Sequence, residues 1–220
     1  MSGKLYIVST PIGNLEDITL RALRVLKEVD LIAAEDTRRA GVLLGHYGIG
    51  TKTFSFYSHN MKARIPGIIG SLKEGKNIAV ITDSGTPGIS DPGSILIREC
   101  LKEDVRVEHI PGATALISAL VISGKNTDSF IFDGFLSVKR GKRYKQLEAL
   151  LKEERTVVIY ESPHRIVKTL QDIANIDPAR EIVAARELTK KFEEVLRLPA
   201  DKMLEHFTVT EPRGEFVLVF

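Results

Sequence analysis

The stretch Asp83-Ser-Gly-Thr-Pro-Gly-Ile-Ser-Asp-Pro-Gly93 packs three glycines, two prolines and two aspartates into eleven residues. It follows the apolar run Ile78-Ala-Val-Ile-Thr82, which reads as a buried strand ending in a rigid polar loop. Glycine lets backbone approach a ligand closely, and proline limits the entropy lost when the loop is ordered around one. In open α/β sheets the ligand crevice lies outside the carboxyl ends of the strands. The chemistry expected of this loop is the binding of a small polar molecule through backbone, hydroxyls and carboxylates.

Three more turns share this design: Ser9-Thr-Pro-Ile-Gly-Asn14, Pro111-Gly-Ala-Thr-Ala115 and, without glycine, Tyr160-Glu-Ser-Pro-His-Arg165. Each alone suits an ordinary turn; four at strand ends predict one crevice. The phosphate-binding pattern G-x-x-x-x-G-K-[ST], the dinucleotide pattern G-x-G-x-x-G and the nucleophile elbow G-x-S-x-G are all missing. No H-E-x-x-H, C-x-x-C or histidine cluster occurs, so no metal is expected. A crevice of backbone and proline with few cations suits a neutral or zwitterionic cofactor better than a triphosphate. A separate feature is Lys139-Arg-Gly-Lys-Arg-Tyr-Lys145, with five cations in seven residues. Such runs are usually solvated helix starts, but this is the densest positive cluster on the chain and could meet phosphates.

The elements that must position these loops alternate from the start. Leu5-Tyr-Ile-Val8, Leu31-Ile-Ala-Ala34, Thr53-Phe-Ser-Phe56, 77–82 and 105–110 read as strands. Helical spacing is expected at 15–29, 37–47, 61–73 (with a kink or fresh start at Pro66) and 95–102. The segment 113–122 is apolar nearly all round and predicts a buried helix. This half predicts a mainly parallel sheet covered on both faces. Segment 123–129 is polar and aperiodic, giving an N-terminal α/β domain over 1–122, a linker over 123–129 and a C-terminal α/β domain over 130–220. In the second domain a strand at 130–135, a helix from Tyr144, a strand at 156–160 and a helix through 166–174 precede a strand-rich last third. The fold class is α/β, with a mainly parallel first sheet and a mixed second one.

The chain has 220 residues, a net charge of +2 and a single cysteine, Cys100, which reads as a buried structural thiol in a reducing compartment. No leader or membrane-length apolar run is seen, and a cytoplasmic location without membrane contact is expected.

The segments Val8-Ser-Thr-Pro-Ile-Gly-Asn-Leu-Glu-Asp-Ile-Thr19, Ala34-Glu-Asp-Thr-Arg38, 83–93, Pro111-Gly-Ala-Thr-Ala115, Tyr160-Glu-Ser-Pro-His-Arg-Ile166, Arg186-Glu-Leu-Thr-Lys-Lys-Phe-Glu-Glu194 and Gly214-Glu-Phe-Val217 span the chain. Together they resemble the signature set of a family of small-subunit ribosomal RNA methyltransferases with the tetrapyrrole methylase fold. The resemblance implies S-adenosylmethionine as methyl donor, held in the cleft between two α/β domains of a homodimer. It implies 2′-O-methylation of the ribose of a cytidine in the decoding region of 16S rRNA, free or in the small ribosomal subunit. It places the cofactor against Pro11, Ile12, Asp83, Gly85, Thr86, Pro87, Ile89, Ser90, Thr114, Ala115, Tyr160 and Gly214. From the family motifs, Glu161, Lys190 and Glu35 are candidates near the target hydroxyl. RNA contacts are expected at Arg38, Lys139, Arg140, Lys142, Arg143, Lys145, His164 and Arg165, with Arg21, Arg24 and Arg39 as possible additions. Asp36 before Thr37 equally suits a helix N-cap, and Glu187 and Lys190 could simply pair on a helix.

Two departures stand out. His59-Asn-Met61 occupies a place where His-Asn-Glu is usual, and the sequence stops shortly after Gly214-Glu-Phe-Val217, where many members continue. A tetrapyrrole methyltransferase and a ribosome-binding protein without catalysis remain the alternatives. The first more often carries Gly-x-Gly-Pro-Gly-Asp where this chain has Ser-Thr-Pro-Ile-Gly-Asn.

Overall fold

In the computed structural model, which describes residues 2–91 and 93–220, the first five strands are the apolar runs of the sequence: β1 (Lys4–Val8), β2 (Leu31–Ala34), β3 (Thr53–Ser55), β4 (Ile78–Ile81) and β5 (Arg106–Ile110). They pair in parallel in the order β3-β2-β4-β1-β5. Every residue of β4 is buried, as a central strand covered on both faces requires. On one face α1 (Leu20–Glu28) and α2 (Thr37–His46) pack on Val8, Ile32, Ala34, Ala79 and Ile81. On the other, α3 (Met61–Lys73) and α4 (Gly93–Lys102) pack on Leu5, Ile7, Ala33, Ile78 and Val80. Adjacent strands β1 and β4 thus send their following helices to opposite faces, which makes their carboxyl ends the topological switch point.

Local signals fix the helix ends. Thr19 caps α1 by accepting from Ala22 N, and Asp36 caps α2 by accepting from Arg38 N. Of the kink or fresh start expected at Pro66, the fresh start does not occur: α3 runs through it. Its apolar residues Ile65, Ile68 and Leu72 stay buried on one side, and this packing outweighs the missing N–H. Met61, the unusual residue of the His-Asn-Met segment, opens α3 and packs against the core.

The remaining strands, β6 (Phe130–Phe135), β7 (Thr156–Glu161), β8 (Glu181–Arg186), β9 (Glu194–Pro199) and β10 (Phe216–Val219), form a mixed sheet in the order β6-β7-β10-β8-β9. Only β6 and β7 pair in parallel; β10 runs antiparallel to β7 and β8, and β9 antiparallel to β8. The helices are α5 (Ala115–Ser123), α6 (Arg140–Leu150), α7 (Ile166–Ile176) and α8 (Ala200–Val209). The strand-rich last third holds its three expected strands, and between β9 and β10 helix α8 fills a stretch the sequence left unassigned; Ala200, Met203 and Phe207 form its buried stripe.

The chain divides into Met1–Thr114 and Ala115–Phe220, ahead of the segment expected as a linker, because α5 packs on β7, β8 and β10. Leu116, Ala119 and Leu120 are its buried side. Its other side is open, against the expectation of burial all round: Val121 is 69% exposed, and Ile117 and Ile122 are exposed as well. Cys100 is fully buried, and burial pushes its thiol up to about 11, which leaves it inert. Among the described residues no helix is long and apolar enough to cross a membrane.

Candidate cofactor and catalytic site

Three of the four sequence turns meet at the switch point in the first unit. Thr10 pairs with Gly85 as an isolated antiparallel bridge, donating its N–H to Gly85 O at 2.9 Å. The Thr10 hydroxyl reaches Thr82 O at 3.2 Å, and Ser9 Oγ lies 2.8 Å from Thr86 Oγ1. Thr86 in turn donates to Ala113 O at 3.1 Å. The ends of β1, β4 and β5 are therefore stitched by hydroxyls that the sequence showed but did not assign. Pro11, Ile12 and Pro87 are buried in this knot. Gly112 lets β5's end approach β1: a Cβ there would stand 2.9 Å from Ser9 Cβ.

The loop after β4 turns on glycines. Gly85 and Gly88 have φ of 81° and 92°, and a Cβ on Gly85 would meet Ile12 Cγ2 at 3.3 Å, with Ala113 O and Thr114 Cα close by. Asp91 cinches the loop, its carboxylate accepting from Gly88 N at 2.8 Å and Gly93 N at 2.6 Å. Ser90 is held at φ 63°, a conformation that costs a non-glycine residue and gathers at ligand sites. Ile89 and Ser90 are exposed at the tip. The loop is pre-formed, which is what a binding loop gains from spending strain and hydrogen bonds on its own shape. Pro92, within the expected loop, lies outside the described residues.

Carboxylates surround it. Asp83 Oδ1 accepts from Asp36 N at 3.0 Å, and Asp83 Oδ2 lies 3.3 Å from Arg39 Nη1. Glu35 Oε2 accepts a long bond, 3.3 Å, from Asp83 N. Burial pushes the Glu35 carboxyl above the usual range; the Asp83 N–H pulls it back, and the Asp83 and Asp91 charges push it further up. Burial likewise raises Asp91 against its amide bonds. Asp36 is the cap that its sequence position allowed, and its hydrogen bonds from Arg38 hold its carboxyl at about 2. Arg39 faces Asp83 and Arg38 is tied to Asp36, though the Arg38 side chain stays 90% exposed. Arg21 and Arg24 are taken up by Glu108 and Glu28.

In the second unit Tyr160 sits near the end of β7, its hydroxyl accepting from Leu116 N, next to Ala115, at 3.3 Å. Phe132 and Phe135 pack against its ring. Gly214, at φ 81°, lies against Glu187, whose Cγ a Cβ would meet at 2.3 Å. Glu187 and Lys190 belong to a turn rather than a helix, with Glu187 and Thr189 at positive φ.

Two catalytic candidates have their polar atoms engaged within the protein. Glu161 is 1% exposed and saturated: it accepts from Ser162 N at 2.8 Å and Thr169 Oγ1 at 2.6 Å, with Arg165 Nε at 3.3 Å. Its partners hold a structural carboxylate. Lys190 Nζ lies 2.7 Å from Glu187 and 3.0 Å from Glu215. Burial would lower its pKa, but the two carboxylates outweigh that and raise it, so it stays a cation and no base. Burial would also raise Glu187, and Lys190 with the Glu215 N–H reverses it.

The basic segment splits in the same way. Arg143 is 4% exposed and locked to Asp172 at 2.7 and 2.9 Å. Arg165 donates to Leu136 O at 2.7 Å and faces Glu161, so both guanidiniums are engaged within the protein. Lys139, Arg140, Lys142, Lys145 and His164 are exposed, and His164 and Arg165 precede α7 rather than opening it. Arg143→Met is expected to cost about 3 kcal/mol, because the buried Asp172 would keep only its longer ion pair with the exposed Arg140, at 3.6 Å. Urea unfolding measures this; a loss below about 1 kcal/mol would contradict the structural role.

The model of the tetrapyrrole (corrin/porphyrin) methylases matches residues 4–204. The ribosomal RNA small subunit methyltransferase I of Thermotoga maritima is 50% identical over 218 residues, covering 99% of this chain and 97% of its own length. The chain belongs to the ribosomal RNA small subunit methyltransferase I family. The Synechocystis member is 49% identical, covering 99% of this chain and 78% of its own. Solved structures share the family's fold at lower identity. Cobalt precorrin-4 methyltransferase superposes with a TM-score of 0.73 at 18% identity, covering 98% of this chain and 94% of its own. Uroporphyrin-III C-methyl transferase from Thermus thermophilus, solved in complex with S-adenyl homocysteine, has a TM-score of 0.71 at 17% identity, covering 99% and 97%. The α/β fold with one parallel and one mixed sheet is thus the tetrapyrrole methylase fold.

Proposed function

We propose that the protein transfers the methyl group of S-adenosylmethionine to the ribose 2′-hydroxyl of a cytidine in the decoding region of 16S rRNA. The observation that carries this is near-full-length identity of 44–50% to relatives named for ribosomal RNA methylation, against 12–20% to solved relatives of the fold, among them the tetrapyrrole enzymes. The same names speak against a ribosome-binding protein without catalysis. A homodimer in the cytoplasm, acting on 16S rRNA or the small ribosomal subunit, completes the reading.

The residues present fit the cofactor. The Gly85 to Ser90 backbone is pre-formed by Gly85 and Gly88 at positive φ and by the Asp91 carboxylate that ties Gly88 to Gly93, and Glu35, Asp83 and Asp91 give it a negative field suited to an ammonium and a sulfonium. When bound, the cofactor supplies an electrophilic methyl on a good leaving group. The protein must then align the hydroxyl, exclude water and remove one proton. With Glu161 saturated and Lys190 held as a cation, Glu35 is the candidate left to take that proton. Among the described residues its Oε2 accepts the long Asp83 bond alone, and its raised pKa makes it a stronger acceptor than an ordinary glutamate.

The exposed cations Lys139, Arg140, Lys142 and Lys145 are assigned to RNA phosphates. Changing all four to serine is expected to weaken rRNA binding and flatten its salt dependence, with cofactor affinity unchanged. Filter binding at several salt concentrations checks this; equal loss of both affinities would contradict it. The function is tested with methyl-labelled cofactor offered to free 16S rRNA, small subunits and a uroporphyrinogen. Label in rRNA is expected; label in the tetrapyrrole alone would overturn the proposal.

A further inference from the structure

Beside the cofactor loop, on the α2 side of Asp83, the first unit carries a hollow of about 170 Å³. It is far smaller than the roughly 300–1,000 Å³ that a whole cofactor-sized ligand takes, and suits one small ring. Pro11, Leu43 and Ile81 give it a buried apolar floor, Val42 an exposed wall at 69%, and Arg39 with Asp83 a charged rim. The hydroxyl knot of Ser9, Thr10, Thr86 and Ala113 takes up the β5 side of the same loop. The hollow therefore opens on the side that the knot leaves clear.

We infer that this hollow receives the cytosine base of the target nucleotide, flipped out of its stack so that its ribose lies beside Glu35; the inference rests on the function proposed above. Enzymes that do chemistry on a base flip it out, stack it between apolar or aromatic side chains and read its Watson–Crick edge; the same hold on a base whose ribose is the target would fix the position of the 2′-hydroxyl. The rim is complementary to cytosine. The Arg39 guanidinium, its side chain 67% exposed, offers donors to the ring N3 and O2, and Asp83 Oδ2 accepts from the 4-amino group. Uracil would set an N–H against the guanidinium and a carbonyl against the carboxylate, leaving both unsatisfied. Arg39 is thereby a specificity residue, reading the base while the cofactor loop presents the methyl.

The test uses the full chain, small subunits or 16S rRNA, and the same RNA with the target cytidine changed to uridine. Val42→Phe narrows the hollow at an exposed position where folding should be kept. It is expected to lower kcat/KM for RNA at least tenfold, with the affinity for S-adenosylhomocysteine and the melting temperature unchanged. Arg39→Ala is expected to reduce the preference for cytidine over uridine at least tenfold. Wild-type rates in Val42→Phe, parallel loss of cofactor affinity in it, or an unchanged base preference in Arg39→Ala would each overturn the inference. A wild-type protein that labels no rRNA at all would overturn the proposed function instead.

Discussion

Gly85→Val is expected to weaken cofactor binding about 100-fold or more while leaving the fold intact. Gly85 sits at φ 81° in the bridge to Thr10, with Ile12 Cγ2 3.3 Å from where a Cβ would stand. A β-branched residue at positive φ is strained by about 1–3 kcal/mol, and here it must also displace Ile12. Relief of that strain would rotate the peptide that follows and move the amides of 86–90 off the ligand. Because 1.4 kcal/mol is tenfold in affinity, the Kd for S-adenosylhomocysteine should rise about 100-fold or more in titration calorimetry. Gly85→Ala, with only a methyl to place, should lose about tenfold. Unchanged affinity in the valine variant would show that the loop does not hold the cofactor.

Glu35→Gln is expected to lower kcat by about 10²–10⁴, the range that one positioned proton acceptor contributes, with cofactor affinity kept. The wild-type rate should rise with pH through an apparent pKa above the ordinary glutamate value of 4.5, and the variant should lose that limb. Stability has its own sign. A carboxyl raised in the folded state binds its proton more tightly folded than unfolded, so its contribution is full below the unfolded pKa and fades as pH rises through the folded one. At neutral pH the charged Glu35 is a burden, and Glu35→Gln should be at least as stable as wild type by thermal melting. A variant that melts lower yet keeps its pH profile would mark Glu35 as structural.

The loops could be read from sequence because their chemistry is local. Glycine and proline runs behind apolar strands announce a turn at a carboxyl end, and three of them do meet through Thr10, Gly85, Thr86 and Ala113. What escaped was set by partners far along the chain. Nothing beside Arg143 announces Asp172, so that cation looked available; for Lys190 the pairing with Glu187 was legible from their spacing and the second partner, Glu215, was not. Glu161 was placed near the target hydroxyl by its motif, but Thr169 of α7 and Arg165 just before that helix fold back onto it. Helix α8 hid its stripe of Ala200, Met203 and Phe207 among charged residues, and its packing on α7 reveals it. Helix α5 misled in the other direction, since a wholly apolar sequence fixes no single buried side.

The central claim is tested most directly by digesting 16S rRNA to nucleosides after incubation with the protein and methyl-labelled cofactor. Mass spectrometry should then find 2′-O-methylcytidine from a decoding-region fragment with wild type, and far less of it with Gly85→Val at a cofactor concentration near the wild-type Kd. Label on a base carbon or nitrogen, or rRNA left unmethylated beside a methylated tetrapyrrole, would contradict the account.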